Sequence, residues 1–225
     1  MDGSAMTWVL GIDCAGGACS VAVVSDGQPI AARDEAMERG QAALLLPMIK
    51  DVLAAAKLEL DAIDLIAVTV GPGSFTGVRI GLAAARGLAL GAGLPLIGVT
   101  CFDAVANIYP QRPLAIALES KRAELFLQIH AATAGEAALV PPEAWDAFIP
   151  SGPIHLAGDG AGRLMASVTR TDIVLADPPA VSLATAAARV GAGLWTPGTV
   201  PPRPLPLYLR APDTTASKKI PPVIR

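Results

Sequence analysis

The chain has few histidines and no CxxC cysteine pair, and these shortages argue against metal sites and cysteine–histidine catalysis. Two histidines, His130 and His155, occur among 225 residues, and neither has a second potential ligand at metal-binding spacing. Because the motifs HxxxH, HExxH and CxxC are all absent, we expect no dedicated transition-metal site. GxSxG is also absent, and with two histidines in the whole chain a catalytic cysteine–histidine pair is not expected.

The cysteine count, the net charge and the apolar runs indicate where in the cell the protein is expected. Three cysteines (Cys14, Cys19 and Cys101) form an odd set, which is typical of free thiols in a reducing cytoplasm. A net charge of −3 gives no overall basic surface of the kind that nucleic-acid binders carry. The longest uncharged stretch, 87–102, is shorter than the ~20 residues of a membrane span, and no basic residue precedes the first apolar run as in a signal peptide. We expect a cytoplasmic protein without membrane contact.

Hydrophobic periodicity predicts an α/β protein with two related lobes. An antiparallel meander of three strands begins the chain, and a helix, a strand, a helix and a strand follow. The second half repeats this order more faintly, so we infer duplication from element order, not from a residue-level repeat. We predict an N-terminal lobe over 1–100, a C-terminal lobe over 101–196 and a proline-rich basic tail over 197–225. The predicted strands are 7–13, 18–24, 29–36, 64–70, 95–99, 114–120, 124–130, 153–158 and 172–176, and the predicted helices are 40–57, 76–92, 141–148, 159–168 and 181–195.

The stretch GPGSFTGVRIG, residues 71–81, lies between a predicted buried strand and a predicted helix. It lacks the lysine of a phosphate-binding P-loop and misplaces the third glycine of a dinucleotide-binding fingerprint. Two interpretations remain. The helix N-terminus, with two hydroxyls and Arg79, is able to hold an anion, or the glycines allow a tight turn and Ser74 or Thr76 caps the helix. The residues favour the second interpretation.

The two predicted helices of the first lobe each have an unusual surface. In 40–57, Leu44 and Leu46 lie outside the apolar stripe that faces the core, and an apolar surface of this kind indicates a protein contact. The helix 76–92 is rich in glycine and alanine, although glycine costs a helix ~1 kcal/mol per site. Either the sheet beneath or a partner helix must therefore come close to it. Arg79 and Arg86 lie on one face of this helix and predict an exposed basic stripe.

Two further features are weak when taken alone. Asp13 ends the first predicted strand before the CAGG turn, where a carboxylate serves Mg–phosphate chemistry or simply caps the turn. GDGAG, 158–162, precedes a predicted helix and is either a nucleotide-edge turn or an ordinary loop.

Taken together and in order, these motifs resemble the bacterial TsaB (YeaZ) family. The resemblance runs through GIDCAGGACSVAVVSDG (11–27), the stretch 44–106 that includes GPGSFTGVRIG, ALESKRAELFLQIH (117–130) and GDGA (158–161), and ends near PLYLR (206–210). It implies the two-lobed fold of actin-like ATPases (the ASKHA, RNase H-like superfamily), a duplicated mixed five-stranded sheet with helices. One region departs from the pattern, because ERGQ precedes the first predicted helix where many members have His-Ser.

The resemblance also implies a function. TsaB proteins are regarded as non-catalytic subunits of the machinery that makes N6-threonylcarbamoyladenosine (t6A) at position 37 of tRNAs reading ANN codons. The catalytic paralogue TsaD uses a metal held by HxxxH, and the ATPase TsaE takes part, so ATP and metal are expected in the partner subunits and no cofactor is expected here. A homodimer is expected when TsaD is absent. The alternative is a self-sufficient nucleotide-dependent transferase or a glycoprotease-like peptidase.

The resemblance implies that the partner surface comes from the first two helices, and we assign no catalytic or metal residue. The assigned interface residues are Leu44, Leu46, Met48, Arg79, Ala83, Ala84, Arg86 and Gly87. The residues assigned to a vestigial nucleotide loop are Asp13, Gly71, Gly73, Ser74 and Thr76. The basic residues of the tail (Arg203, Arg210, Lys218, Lys219 and Arg225) either contact tRNA phosphates or are solvated.

Overall fold

The computed structural model describes residues 6–210, which form two five-stranded sheets with helices. The first sheet has the order β3-β2-β1-β4-β5. Strand β1 pairs antiparallel with β2 and parallel with β4, so the sheet is mixed. Its strands are β1 (Trp8–Asp13), β2 (Ala18–Ser25), β3 (Gln28–Ala36), β4 (Leu65–Thr69) and β5 (Leu96–Val99). The predicted meander and the predicted central strand are confirmed.

Three helices follow the strands of this first sheet in the sequence: α1 (Gln41–Ala56), α2 (Phe75–Ala92) and α3 (Cys101–Ile108). The apolar stripe of α1 is buried on the sheet, and the exposed Pro47 lies in its second turn, inside the helix. The Ser74 hydroxyl caps α2 by accepting a hydrogen bond from the amide of Gly77 at 3.2 Å. The prediction missed α3, which begins at a Thr100 cap immediately after β5.

The second sheet has the order β10-β9-β6-β7-β8 and repeats the mixed pairing of the first. Strand β6 pairs antiparallel with β7 and parallel with β9. The edge strand β8, of three residues, was not predicted. The strands are β6 (Leu114–Glu119), β7 (Leu125–His130), β8 (Ala138–Val140), β9 (Ile154–Ala157) and β10 (Ile173–Leu175), and the short helices are α4 (Trp145–Phe148) and α5 (Ala161–Met165).

Helix α6 (Leu183–Leu194) corrects the predicted boundaries of the lobes. It follows the second sheet in sequence but packs on β1, β2 and β4 of the first sheet, and α3 packs on α6. Helix α6 lies very close to the sheet. A Cβ at Gly11 would overlap the carbonyl oxygen of Ala184, and a Cβ at Gly191 would lie 2.7 Å from the Cβ of Ala67. Only small residues let a helix lie this near a sheet. The first lobe therefore includes α3 and α6, which cover the face opposite α1 and α2.

The segment after α6 also returns to the first lobe. Residues 201–207 carry no regular secondary structure, and the amide of Leu207 donates to the carbonyl oxygen of Val70 at 2.8 Å. Over 201–207, the predicted proline-rich tail is therefore an extended segment that packs on the first lobe. Lys218, Lys219 and Arg225 lie outside the described residues. No helix among the described residues has the length and apolar character needed to cross a membrane.

Candidate functional site

The loop after β4 lies directly against the turn between β1 and β2. The amide of Ser74 donates to the carbonyl oxygen of Ala15 at 2.7 Å. A Cβ at Gly73 would overlap the Ala15 oxygen, and a Cβ at Gly77 would overlap the Cys14 oxygen. Both glycines are therefore needed for backbone to approach backbone. The Ser74 amide is occupied by a carbonyl group and is not available to a phosphate, so the geometry favours the turn-and-cap interpretation of GPGSFTG.

A cleft of about 700 Å³ lies between the two lobes. Both predicted turns line it, the one after β1 and the one at Gly158 and Asp159, together with residues of α3 and the segment before α6. Four carboxylates line the cleft, and no lysine, arginine or histidine does so among the described residues: Asp13, Asp34, Glu119 and Asp159. Such a lining offers no basic side chain to a polyphosphate, so a cation or backbone amides would have to balance its negative charge.

Asp13 is the most buried carboxylate of the cleft, with 1% of its surface exposed. One of its oxygens, Oδ1, accepts hydrogen bonds from the Thr69 hydroxyl at 2.6 Å and the Ala15 amide at 3.1 Å. Burial raises the pKa of Asp13 from 3.8 to about 6, and these two hydrogen bonds oppose the rise. Asp13 thus caps the turn that supports GPGSFTG. The sequence left two roles open for Asp13, Mg–phosphate chemistry and capping of the turn, and these contacts support the second.

The turn GDGAG is held in a similar way in the second lobe. Gly158 has φ 108°, and a Cβ there would overlap the carbonyl oxygen of Ala117. One carboxylate oxygen of Asp159, Oδ1, accepts a hydrogen bond from the amide of Glu119 at 2.9 Å. The glycine and the aspartate therefore join the end of β9 to β6. Within residues 6–210, no three His, Cys, Asp or Glu side chains are grouped closely enough to hold a metal ion.

The surface assigned from the sequence to a partner is formed by α1 and α2. Leu46 is 50% exposed, and Ala83 and Gly87 are exposed. Leu44 and Ala84 are half-buried between the helices and the solvent. Met48 is wrongly assigned, because it is 0% exposed and belongs to the core beneath α1. The assignment from the sequence omitted Leu90, which is 87% exposed on α2.

The exposed face of α2 is a continuous strip of mostly small or apolar residues that also contains Arg79. Spacings of three and four residues place its members on one side of the helix: Thr76, Arg79, Ala83, Gly87 and Leu90. At Gly87 and at the neighbouring Gly91, a Cβ would meet no described atom within 4 Å. Nothing in the described fold therefore requires glycine at these two positions, in contrast to Gly77. We call these five residues, together with Leu46 of α1, the α1–α2 surface.

Arg79 and Arg86 do not form the free basic stripe that the sequence predicted. Arg86 is half-buried, and its Nη2 donates to the carbonyl oxygen of Pro204. Arg79 is exposed, and its Nε donates to the hydroxyl of Tyr208 at 3.0 Å. Both arginines thus hold residues 204–210, the C-terminal arm, along one flank of α2. No signal in the sequence linked the arm to α2, since more than a hundred residues separate the partners.

The two mixed sheets, each with a βββαβ-type core and a cleft between them, define the actin-like ATPase fold. A solved structure of component A of (R)-2-hydroxyglutaryl-CoA dehydratase from Acidaminococcus fermentans shares this fold, with a TM-score of 0.53, 10% identity and coverage of 83% of this chain and 98% of that one. YeaZ from Pseudomonas aeruginosa is more similar, with a TM-score of 0.74, 28% identity and coverage of 91% of this chain and 100% of that one. The fold predicted from the resemblance is confirmed.

The sequence comparison identifies the family. Residues 35–154 match the model of the family described as "TsaD: tRNA N6-adenosine threonylcarbamoyltransferase", and the chain belongs to this family. The tRNA threonylcarbamoyladenosine biosynthesis protein TsaB of Escherichia coli is 47% identical over 99 residues, which cover 44% of this chain and 42% of that protein. The predicted resemblance to TsaB (YeaZ) is confirmed, and the match spans about two fifths of the length of this relative.

Proposed function

We propose that this chain is a cytoplasmic, non-catalytic subunit of the system that adds threonylcarbamoyl to adenosine 37 of tRNAs reading ANN codons. It acts by forming a heterodimer with the catalytic subunit TsaD through the α1–α2 surface. The names of the TsaB relatives and the match to the TsaD family support the pathway. In this proposal TsaE supplies ATPase activity and tRNA is reached through the complex.

The observation that carries the docking part is the open space at Gly87. A glycine in a helix interior costs ~1 kcal/mol relative to alanine, and the described fold gives no packing reason for it at this position. Leu90 lies one turn further along the same face and is exposed, as is Leu46 of α1. The strip thus combines small and apolar positions, which helix-to-helix docking needs. A homodimer through the same surface is the expected state of the chain without TsaD.

The non-catalytic part is supported by the cleft. Its carboxylates Asp13 and Asp159 bond to the protein's own backbone, and its lining has no basic side chain among the described residues. A self-sufficient transferase acting on Mg–ATP would need a site for the polyphosphate here. Calorimetry of the isolated chain with Mg–ATP decides between the two, because micromolar binding would favour the enzyme.

The docking surface is tested by co-purification of the chain with its cognate TsaD and by t6A formation in a reconstituted reaction. Leu46→Asp places a charge on α1 at a position already half exposed, so the fold should survive while the complex is lost. The matched control is Leu175→Asp, because Leu175 is 49% exposed on the edge strand of the other sheet. If Leu46→Asp behaves like the control in both assays, the assigned surface is wrong.

A further inference from the structure

The C-terminal arm and the N-terminal part of α2 form a stacked cluster of three side chains. The guanidinium carbon of Arg79 lies 3.7 Å from the ring centroid of Phe75 and 5.9 Å from that of Tyr208. The two rings are 5.1 Å apart, and Nε of Arg79 donates to the Tyr208 hydroxyl at 3.0 Å. Cation–π contact and this hydrogen bond fix the guanidinium before any ligand arrives.

Four of the five N–H donors of the Arg79 guanidinium have no partner among the described residues. Its Nε is taken by Tyr208, whereas neither Nη atom has a hydrogen-bond or ion-pair partner among residues 6–210. No Asp or Glu occurs in α2 or in the arm over 204–210.

We propose that the C-terminal arm is part of the partner-binding surface, where it holds Arg79 so that its two Nη groups bind a carboxylate of the protein partner. This inference rests on the proposed function, because Arg79 is continuous with Ala83, Gly87 and Leu90 on the exposed face of α2. The planar fork of a guanidinium matches a carboxylate in two parallel hydrogen bonds. Since the stack with Phe75 and Tyr208 already restricts the side chain, binding loses little rotamer entropy.

A carboxylate of a protein suits this position better than a phosphate of RNA. Phosphate-backbone binding depends on several basic residues that together follow the strand. Here the second arginine of α2, Arg86, is half-buried and bonded to Pro204. The neighbours of Arg79 along the helix are small or apolar, which is the composition of a helix-docking face and not of a nucleic-acid groove.

The test is calorimetric titration of the full chain with its cognate TsaD, together with a tRNA-binding assay on the complex. Arg79→Met keeps the aliphatic stem and removes the charge, and it should weaken TsaD binding roughly 10- to 100-fold, as expected for a charge-assisted bidentate pair. It should also reduce the dependence of affinity on salt, which a purely structural role would not do. Tyr208→Phe, which keeps the ring but removes the acceptor for Nε, should weaken binding by a smaller factor. The matched control is Arg203→Met, because Arg203 is an exposed arginine of the same segment that precedes the α2 contacts.

The outcomes separate this inference from the proposed function. If the unmodified chain does not bind TsaD, the proposed function and this inference both fail. If it binds and Arg79→Met matches Arg203→Met in affinity and salt dependence, this inference alone is overturned. Loss of tRNA binding by the Arg79→Met complex with unchanged TsaD affinity would assign Arg79 to a phosphate and likewise overturn it.

Discussion

Two glycines of α2, ten residues apart, should respond with opposite sign to the same substitution. At Gly87 a new Cβ meets open space, so Gly87→Ala should raise the free energy of unfolding by about 1 kcal/mol through helix propensity alone. For a chain of this length, that corresponds to a melting temperature ~2–4 °C higher. At Gly77 the Cβ would overlap the Cys14 carbonyl oxygen, well inside the 3.0 Å that real Cβ atoms keep.

The cost at Gly77 is set by backbone that has little freedom to move. The carbonyl carbon of Cys14 would lie 3.1 Å from the new methyl group, and the adjacent Ala15 carbonyl is bonded to the loop before α2. Relief therefore requires the helix to shift away from the turn. Overpacking of this kind costs ~1–3 kcal/mol, which outweighs the propensity gain, so Gly77→Ala should be destabilised by up to about 2 kcal/mol.

Urea unfolding followed by circular dichroism measures the free energy of unfolding of both variants, and calorimetric titration with TsaD measures their affinity for the partner. Gly87→Ala should be more stable than the unmodified chain yet bind TsaD more weakly, because the methyl group occupies the space into which a partner helix packs. Lower stability of Gly87→Ala would refute the open-space argument. Unchanged affinity would refute the close approach of a partner at this position.

Three further predictions concern the core and the arm. The raised pKa of Asp13, about 6 against 3.8, means that the folded state binds the proton more tightly than the unfolded state, so the free energy of unfolding should fall as pH rises from about 4 to 6. The contribution is at most ~3 kcal/mol, and Asp13→Asn should lose this dependence in urea titrations at several pH values; an unchanged pH profile would contradict the assignment. Arg86→Met removes the donor to the Pro204 carbonyl oxygen and should speed hydrogen exchange of the Leu207 amide, whereas equal exchange would show that the arm is held without Arg86. Gly11→Ala should lower the melting temperature by several degrees, because its Cβ overlaps the backbone of α6 at Ala184; a neutral result would mean that α6 retreats from the sheet at little cost.

The strands and long helices were predictable because each follows a local pattern. β4 reads LIAVT and is buried at every position, as expected of a strand with neighbours on both sides. α1 and α2 follow the helical period and match their predicted bounds to within one or two residues. The elements α3, of eight residues, and β8, of three, were missed. Length alone does not explain these misses, because β10 also has three residues and was predicted.

The candidate site was only partly predictable. The unusual composition of α2 was visible in the sequence, and so was the failure of GPGSFTG to match a phosphate loop. The burial of Met48 was not, because a helix with apolar residues on more than one face does not reveal which of them the sheet covers. The bond of Arg86 to Pro204 was equally hidden, because it joins segments far apart in the chain.

The sequence by itself determined the two-lobed α/β class and the family resemblance, because these depend on local patterns and on residue types. Only the tertiary structure decided which glycines the fold requires, because Gly77 and Gly87 look alike in the sequence but face a carbonyl oxygen and open space, respectively. It also placed α6 and the C-terminal arm on the first lobe, where Arg79 is held between Phe75 and Tyr208. Contacts between distant segments depend on how the layers pack, and no local pattern encodes them.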